Sequence, residues 1–201
     1  MRKGERTKQM ILAESVSLFN QQGYLASSIF DVMKKTGLKK GGIYNHFESK
    51  EELVRQTFQF AVDQIRKHIR NTIKEKETAA DRLLAVITVF QDLAEDRPIP
   101  GGCPIMNVAI ESDDAHPALC KEARDAMDGL RSLIESTVKK GIQRREIRPE
   151  VNGQAVATVF VSMLEGALML SRLYVDPQYM RDAVDHLKKY VQTLLQCETI
   201  W

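Results

Sequence analysis

The chain has 201 residues, 43% hydrophobic and 28% charged, with a net charge of +2. That length and apolar content allow one large or two small domains with a real core, and the charged fraction suits a soluble chain. Its three cysteines, Cys103, Cys120 and Cys197, are odd in number and have no CxxC spacing, which argues against a disulfide framework or a zinc site and for a reducing compartment.

Charge is unevenly spread. Residues 1–50 carry nine Lys/Arg against four Asp/Glu, a net +5, so the remainder sums to −3. A basic head on a slightly acidic body suits a polyanion partner, although a merely solvated basic face would look the same. No signal-peptide pattern precedes the first helical segment. The most apolar run, Ala155 to Leu170, is interrupted by Thr158, Ser162 and Glu165 and reads as too short to span a bilayer. A cytoplasmic protein with no membrane partner is expected.

Helical periodicity runs almost throughout. A first helix is expected over Arg6 to Gln22, with Leu12, Val16 and Phe19 on one stripe, Ile11 and Leu18 beside it, and Gly23 as its stop. Ser28 opens a second helix, where Asp31 completes a capping box, Val32 and Met33 point inward, and Gly37 ends the segment. A short third helix follows from about Lys39 to His46. Ser49 with Glu52 then opens a long fourth helix reaching about Lys74, with Leu53, Phe60 and Ile65 or Ile69 inward.

The pattern loosens at Lys76 to Thr78 and resumes from Ala79 to Glu95. Pro98, Pro100, Gly101, Gly102 and Pro104 mark a loop, and a short helix starts at Cys103-Pro104. Further helices are expected over Pro117 to Arg145, Val151 to Tyr174, and after Pro177, the last with Ala183, Leu187, Tyr190, Val191 and Leu194 as its stripe. The fold expected is all-α with about nine helices, dividing into 1–50 and 51–201.

Residues Ser28 to Lys50 carry the most information. Two short helices joined by a turn at Gly37 have a helix-turn-helix layout, and the turn needs a residue that tolerates positive φ. Ile43 and Phe47 are spaced to face inward. Lys39, Lys40, Gly42, Asn45 and His46 are left outward, the division a recognition helix requires.

The run Gly37-Leu38-Lys39-Lys40-Gly41-Gly42-Ile43-Tyr44-Asn45-His46-Phe47, then Ser49-Lys50-Glu51-Glu52-Leu53, resembles the signature of the tetracycline-repressor (TetR) family. So does the lead-in from Ile11 to Phe19 through Gly23-Tyr24, Ser27-Ser28 and Asp31-Val32. The close match covers about the first 55 residues; the rest resembles the family in length and helix layout, and the run 101–107 is similar to one found in some members. The resemblance implies that Tyr44, His46 and Lys50 hold the DNA backbone, that Lys40 and Gly41 lie near base edges, and that Ser28 caps a helix whose N-terminus meets a phosphate. Two positions depart from the pattern: Lys39 and Gly42 stand where Ser or Thr is usual, so Lys39 supplies charge in place of a hydroxyl. The adjacent Gly41 and Gly42 each lower helix propensity by roughly 1 kcal/mol, which predicts a third helix frayed without DNA. Phe30 stands where a polar residue is common, and either touches DNA sugar or covers the core.

The resemblance further implies a homodimer on a pseudo-palindromic operator in double-stranded DNA, built from the Val151 to Tyr174 helix and the last helix. Apolar residues on nearly every side of the former, and small residues at Gly153, Ala157, Gly166 and Ala167, agree with burial on two faces. The middle helices are expected to enclose an effector pocket drawn from Phe90, Met106, Asn107, Ile110, Met127, Phe160, Met163 and Glu165, although Met and Phe on helices are also ordinary core. Cys103, ahead of Pro104 in a Gly/Pro loop, is expected to be accessible: either a thiol sensor of electrophiles or oxidants, or a structural cap. The effector is thus a small molecule or an electrophile.

The four histidines are scattered, and no HExxH, GxSxG, P-loop or GxGxxG occurs. Glu111, Asp113 and Asp114 form an acidic cluster without ligand spacing. No catalytic residue, metal or cofactor is expected. The function expected is a ligand-controlled repressor, the alternative being a DNA-binding regulator whose body binds a protein.

Overall fold

A computed structural model describes residues 3–112 and 116–196. Cys197, Asp113 and Asp114 lie outside the described residues. Among those described there are nine helices: α1 (Lys3–Gln22), α2 (Ile29–Thr36), α3 (Lys40–Tyr44), α4 (Lys50–Ile73), α5 (Ala79–Ala94), α6 (Pro104–Ser112), α7 (Pro117–Gln143), α8 (Gly153–Leu173) and α9 (Gln178–Leu194). The one β feature among them is an isolated bridge, Ile147 to Leu195. The chain is all-α.

The described residues fall into two compact units. One comprises 1–66 with 96–126; the other comprises 67–95 with 127–201. The chain passes from one to the other three times, twice inside a continuous helix, α4 and α7. The unit that holds the first three helices therefore also contains the first part of α4, all of α6 and the start of α7.

In the first unit, α1 buries Ile11, Leu12, Val16, Leu18 and Phe19, the expected stripe. On α4 the buried row is Leu53, Val54, Phe58, Ala61, Val62 and Ile65, while Phe60 is only half-buried. Phe58, not Phe60, lies on the i, i+4 row that continues from Val54, so it takes the core position. Tyr24, in the α1–α2 turn, is fully buried. Its ring meets Phe19 (5.9 Å between centroids) and Phe58 (6.0 Å) edge-on, the arrangement that aromatic quadrupoles favour.

In the second unit, α8 packs against α9 and α5. Val156, Phe160, Leu164 and Leu168 form its buried row, and Met180, Val184, Leu187, Val191 and Leu194 that of α9. Asn152 caps α8, its side chain accepting from the amides of Gln154 and Ala155. Gly141 lets α7 approach α5: a Cβ there would lie 2.7 Å from the Ala79 methyl. The imidazole of His68 and the carboxylate of Asp92 join α4 to α5 at 2.7 Å. By length and composition α8 is long enough to cross a bilayer, contrary to the reading of its core run as too short. Part of its apolarity is a row buried against α5 and α9.

The Tyr24 hydroxyl has no hydrogen-bond partner among the described residues. Burying an unsatisfied hydroxyl costs about 1–3 kcal/mol. Tyr24→Phe is therefore expected to raise stability by about 1 kcal/mol, read as a higher urea midpoint at unchanged slope. A lower midpoint would show that the hydroxyl contributes to the fold.

Candidate nucleic-acid interface

Local chemistry builds the reader. Ser28 sits in an extended conformation and its hydroxyl accepts from the amide of Asp31, while the Asp31 carboxylate accepts from the amide and hydroxyl of Ser28 (2.8 and 2.6 Å). This is the expected capping box. At the other end Gly37 has φ 71° and donates its amide to Met33, the left-handed stop the turn requires. The Leu38 amide donates to the Thr36 hydroxyl oxygen. The second box is modified: the amide of Glu52 donates to Ser49, but the Glu52 carboxylate reaches back to the Glu48 amide.

The recognition segment α3 is ordered and very short, Lys40–Tyr44. Ile43 and Phe47 are buried, as their spacing predicts. Gly42 is half-buried and faces the turn, where a Cβ would lie 3.7 Å from the Leu38 Cβ, an ordinary contact. Gly41 faces open space. The outward rows of α3 are thus Lys40 and Tyr44, and Gly41 and Asn45, all exposed. Lys40 lies over the Tyr44 ring (5.8 Å from Nζ to centroid), a cation–π contact that holds both at the same surface. Lys39 is exposed at the N-cap, without a side-chain cap bond.

Three predicted residues are less free than the pattern implies. His46 is half-buried near Gly4 of α1. Gly42 packs on Leu38. Lys50 is half-buried and donates from Nζ to the Leu25 carbonyl at 2.9 Å, leaving two of its N–H groups. Lys8, which the pattern did not mark, stands over the Phe47 ring at 5.4 Å. Phe30 is 69% exposed, so it does not cover the core.

The effector candidates fall in both units. Cys103, Met106, Asn107 and Ile110 belong to the first unit, and Phe90, Met127, Phe160, Met163 and Glu165 to the second. Phe90 and Phe160 are fully buried core side chains; Met106, Met127 and Met163 are half-buried; Ile110 is 70% exposed. Asn107 donates its amide to Asn20 and to the Gly101 carbonyl. Cys103, expected to be accessible, is 2% exposed. The loop that carries it is drawn onto α1 at Gly101, where even a methyl would collide with the Asn20 carbonyl oxygen at 2.5 Å.

Two clefts open in the first unit instead. One, of about 300 Å³, is lined by Leu25, Lys50, Val54, Arg55, His116 and Leu119; the other, of about 320 Å³, by Phe58, Gln59, Val62, Asp63, Arg66 and Glu122. Sequence reasoning missed both, because their linings are ordinary helix positions on α4 and α7 that only packing brings together.

Two family models match the chain. Residues 11–57 match the bacterial regulatory proteins of the tetR family, and 79–187 match the tetracyclin repressor-like C-terminal domain. The chain belongs to the TetR family. It is a DNA-binding transcriptional regulator. A TetR transcriptional regulator from Chloroflexus aurantiacus J-10-FL shares 40% identity over 98% of this chain and 99% of its own, with a TM-score of 0.93. A TetR-family regulator from Cytophaga hutchinsonii shares 29% over 97% and 98%, at 0.88. The fatty acid metabolism regulator protein of Bacillus subtilis strain 168 is 27% identical over 73% of this chain and 74% of its own.

In this TetR-family reader the α2 cap is electrostatic as well as geometric. Hydrogen bonds from Ser28 hold the Asp31 carboxyl below its ordinary pKa. A depressed carboxyl contributes stability above its ordinary pKa and loses that contribution as pH falls through the lowered value. Ser28→Ala is expected to cost about 1 kcal/mol near neutrality, and Asp31→Asn to flatten the acid limb of the stability profile. Acid melting curves that overlay for wild type and Asp31→Asn would refute the second expectation.

Proposed function

We propose that the protein is a cytoplasmic, homodimeric repressor that holds a pseudo-palindromic operator with two copies of the α2–α3 reader and is released by a small effector. The observation that carries this reading is the exposed row Lys40, Gly41, Tyr44 and Asn45 on α3, set over buried Ile43 and flanked by Lys39 and Lys50. It offers donors for base edges at its centre and cations for phosphates at its margins. Ser28, at the N-terminus of α2, adds a helix end that favours phosphate. Exposed Phe30, with Lys34 one turn on, suits apolar contact with deoxyribose or a thymine methyl. His46 contributes from a more recessed position.

Dimerisation is supported by what α8 and the turn after it leave uncovered. Val159, Met169, Leu173, Tyr174, Val175 and Tyr179 are exposed, Val175 by 88%. Tyr174 and Tyr179 stack at 5.3 Å at that end of the face. Gly166 has nothing within 4 Å of a Cβ, so another helix can approach there. Two readers about 34–36 Å apart reach successive major grooves, which gives the dimer its use.

The burial of Cys103 favours a reversible small ligand over an electrophile as the effector. A thiol that solvent does not reach reacts slowly whatever its acidity. A body that binds a protein partner remains the alternative function, and a shift in thermal stability on adding one of a panel of metabolites would decide for the ligand.

Two measurements test the proposal. Lys50→Ala is expected to weaken binding to all duplexes about equally and to lower the salt slope by about one, whereas Lys40→Ala relaxes sequence preference. Wild-type affinity in both variants would place the interface elsewhere. For the dimer, Gly166→Phe is expected to yield a monomer in sedimentation with operator binding lost and helicity kept; a wild-type monomer at micromolar concentration would refute it.

A further inference from the structure

The cleft between the start of α4 and the start of α7 lies wholly inside the first unit. Its volume of about 300 Å³ is at the low end for small-molecule sites. The walls are aliphatic: Leu25, Val54, Ala118 and Leu119 line it, and no Phe, Tyr or Trp is among its lining residues. Val54 and Leu119 are buried, Leu25 is half-buried and Ala118 is exposed.

The two helices that form the cleft are braced against each other. Arg55 of α4 forks onto Glu122 of α7, with Nε at 2.6 Å and Nη2 at 2.5 Å from the carboxylate, and Gln59 donates to the same group at 3.3 Å. A pocket held open in this way needs little ordering when a ligand enters.

Charge along the lining has one sign in excess. Lys50, Arg55 and His116 stand against Glu51. Arg55 is committed to Glu122, whereas Lys50 donates one N–H to the Leu25 carbonyl at 2.9 Å and keeps two to give. That bond fixes the ammonium beside the aliphatic wall. Glu51 is exposed, and its carboxyl is held below its ordinary pKa by hydrogen bonds from its own backbone and from Ser49, with Lys50 and His116 adding. Those bonds tie it to the start of α4. In the opposite wall α7, 27 residues long, begins at Pro117, and the first-turn amides of such a helix favour a negative group.

We infer that this cleft is a binding site for a small aliphatic monocarboxylate, its chain against Leu25, Val54 and Leu119 and its carboxylate on Lys50. An ionised head makes a charge-assisted bond with the ammonium, and the chain gains by leaving water. Inorganic phosphate would leave the aliphatic wall unused, and a neutral alcohol of the same length would leave the Lys50 charge unanswered. None of these residues is among the effector candidates drawn from the sequence. Lys50 also stands in the proposed DNA interface, and the site holds whether or not it touches phosphate there.

The test is a titration of the full-length, DNA-free protein with hexanoate, hexanol, acetate and inorganic phosphate, followed by the methyl resonances of Leu25, Val54 and Leu119. Hexanoate is expected to shift those resonances with a Kd of about 1 mM or tighter, and the other three to bind at least about tenfold more weakly. Ala118→Trp fills the cleft from an exposed position, and Lys50→Gln removes the cation. Each is expected to weaken hexanoate binding by about tenfold or more, with helicity kept.

No shift at millimolar hexanoate overturns the site. Hexanol that binds as tightly as hexanoate overturns the carboxylate, and phosphate that does so overturns the aliphatic class. Hexanoate binding that survives in both variants, or methyl shifts confined to the second unit, puts the ligand elsewhere and overturns the site as well. If Ala118→Trp does not fold, the wild-type methyl shifts and Lys50→Gln decide.

Discussion

Tyr24 sits where three pieces of chain meet: its ring is edge-on to Phe19 of α1 and to Phe58 of α4, and its hydroxyl end lies near Cys103 and Glu111 at the two ends of α6. A reader of about 50 residues buries little apolar surface by itself. Here its core is completed by α4 and α6, and the packing around Tyr24 is the place where that happens. Burial pushes the Tyr24 hydroxyl far above its ordinary pKa, with Cys103 and Glu111 adding to the effect. A neutral, desolvated hinge point suits a joint that must hold its geometry.

From that joint the logic of the recognition segment follows. α3 has five residues, two of them glycine, and little propensity to be helical by itself. Its order comes from Ile43 and Phe47, both buried, from the Gly37 stop before it, and from the Lys8 and Lys40 contacts to aromatic rings on either side. These tertiary contacts favour the helix where propensity does not. Gly41 also leaves the outward surface without a side chain, which allows the backbone to approach a base pair closely.

The division of labour along the chain is less sequential than the order of its helices suggests. The polar grip on the α1–α2 turn comes from residues some 80 positions later, Asn20 to Pro100 and Gly102 being separated by 80 and 82. The second unit, by contrast, is a conventional apolar packing of α8 on α9 and α5, fastened by Glu146 at the start of α5 and by backbone bonds between residues 146–148 and 194–196. Directed hydrogen bonds to distant chain stand beside apolar burial around the reader. The first kind of contact specifies a pose, and the second mainly supplies stability.

What the amino-acid order determined by itself was everything carried by short-range chemistry. The Ser28–Asp31 box, the Gly37 stop, the outward Lys40 and Asn45 over inward Ile43 and Phe47, and the count of helices all follow from spacings of a few residues, and all are found in the structure. Tertiary structure decided what depends on distant partners. Phe58 rather than Phe60 entered the core because the neighbours of α4 selected one helical row over another. Lys50 turned one donor to the Leu25 carbonyl, and Cys103 passed from an accessible loop to a buried one because Gly101 brings that loop against Asn20. Nothing local in the sequence encodes those meetings: an amide side chain such as Asn20 or Asn107 carries the same donors wherever it lies, and only the folded chain supplies the carbonyls they reach.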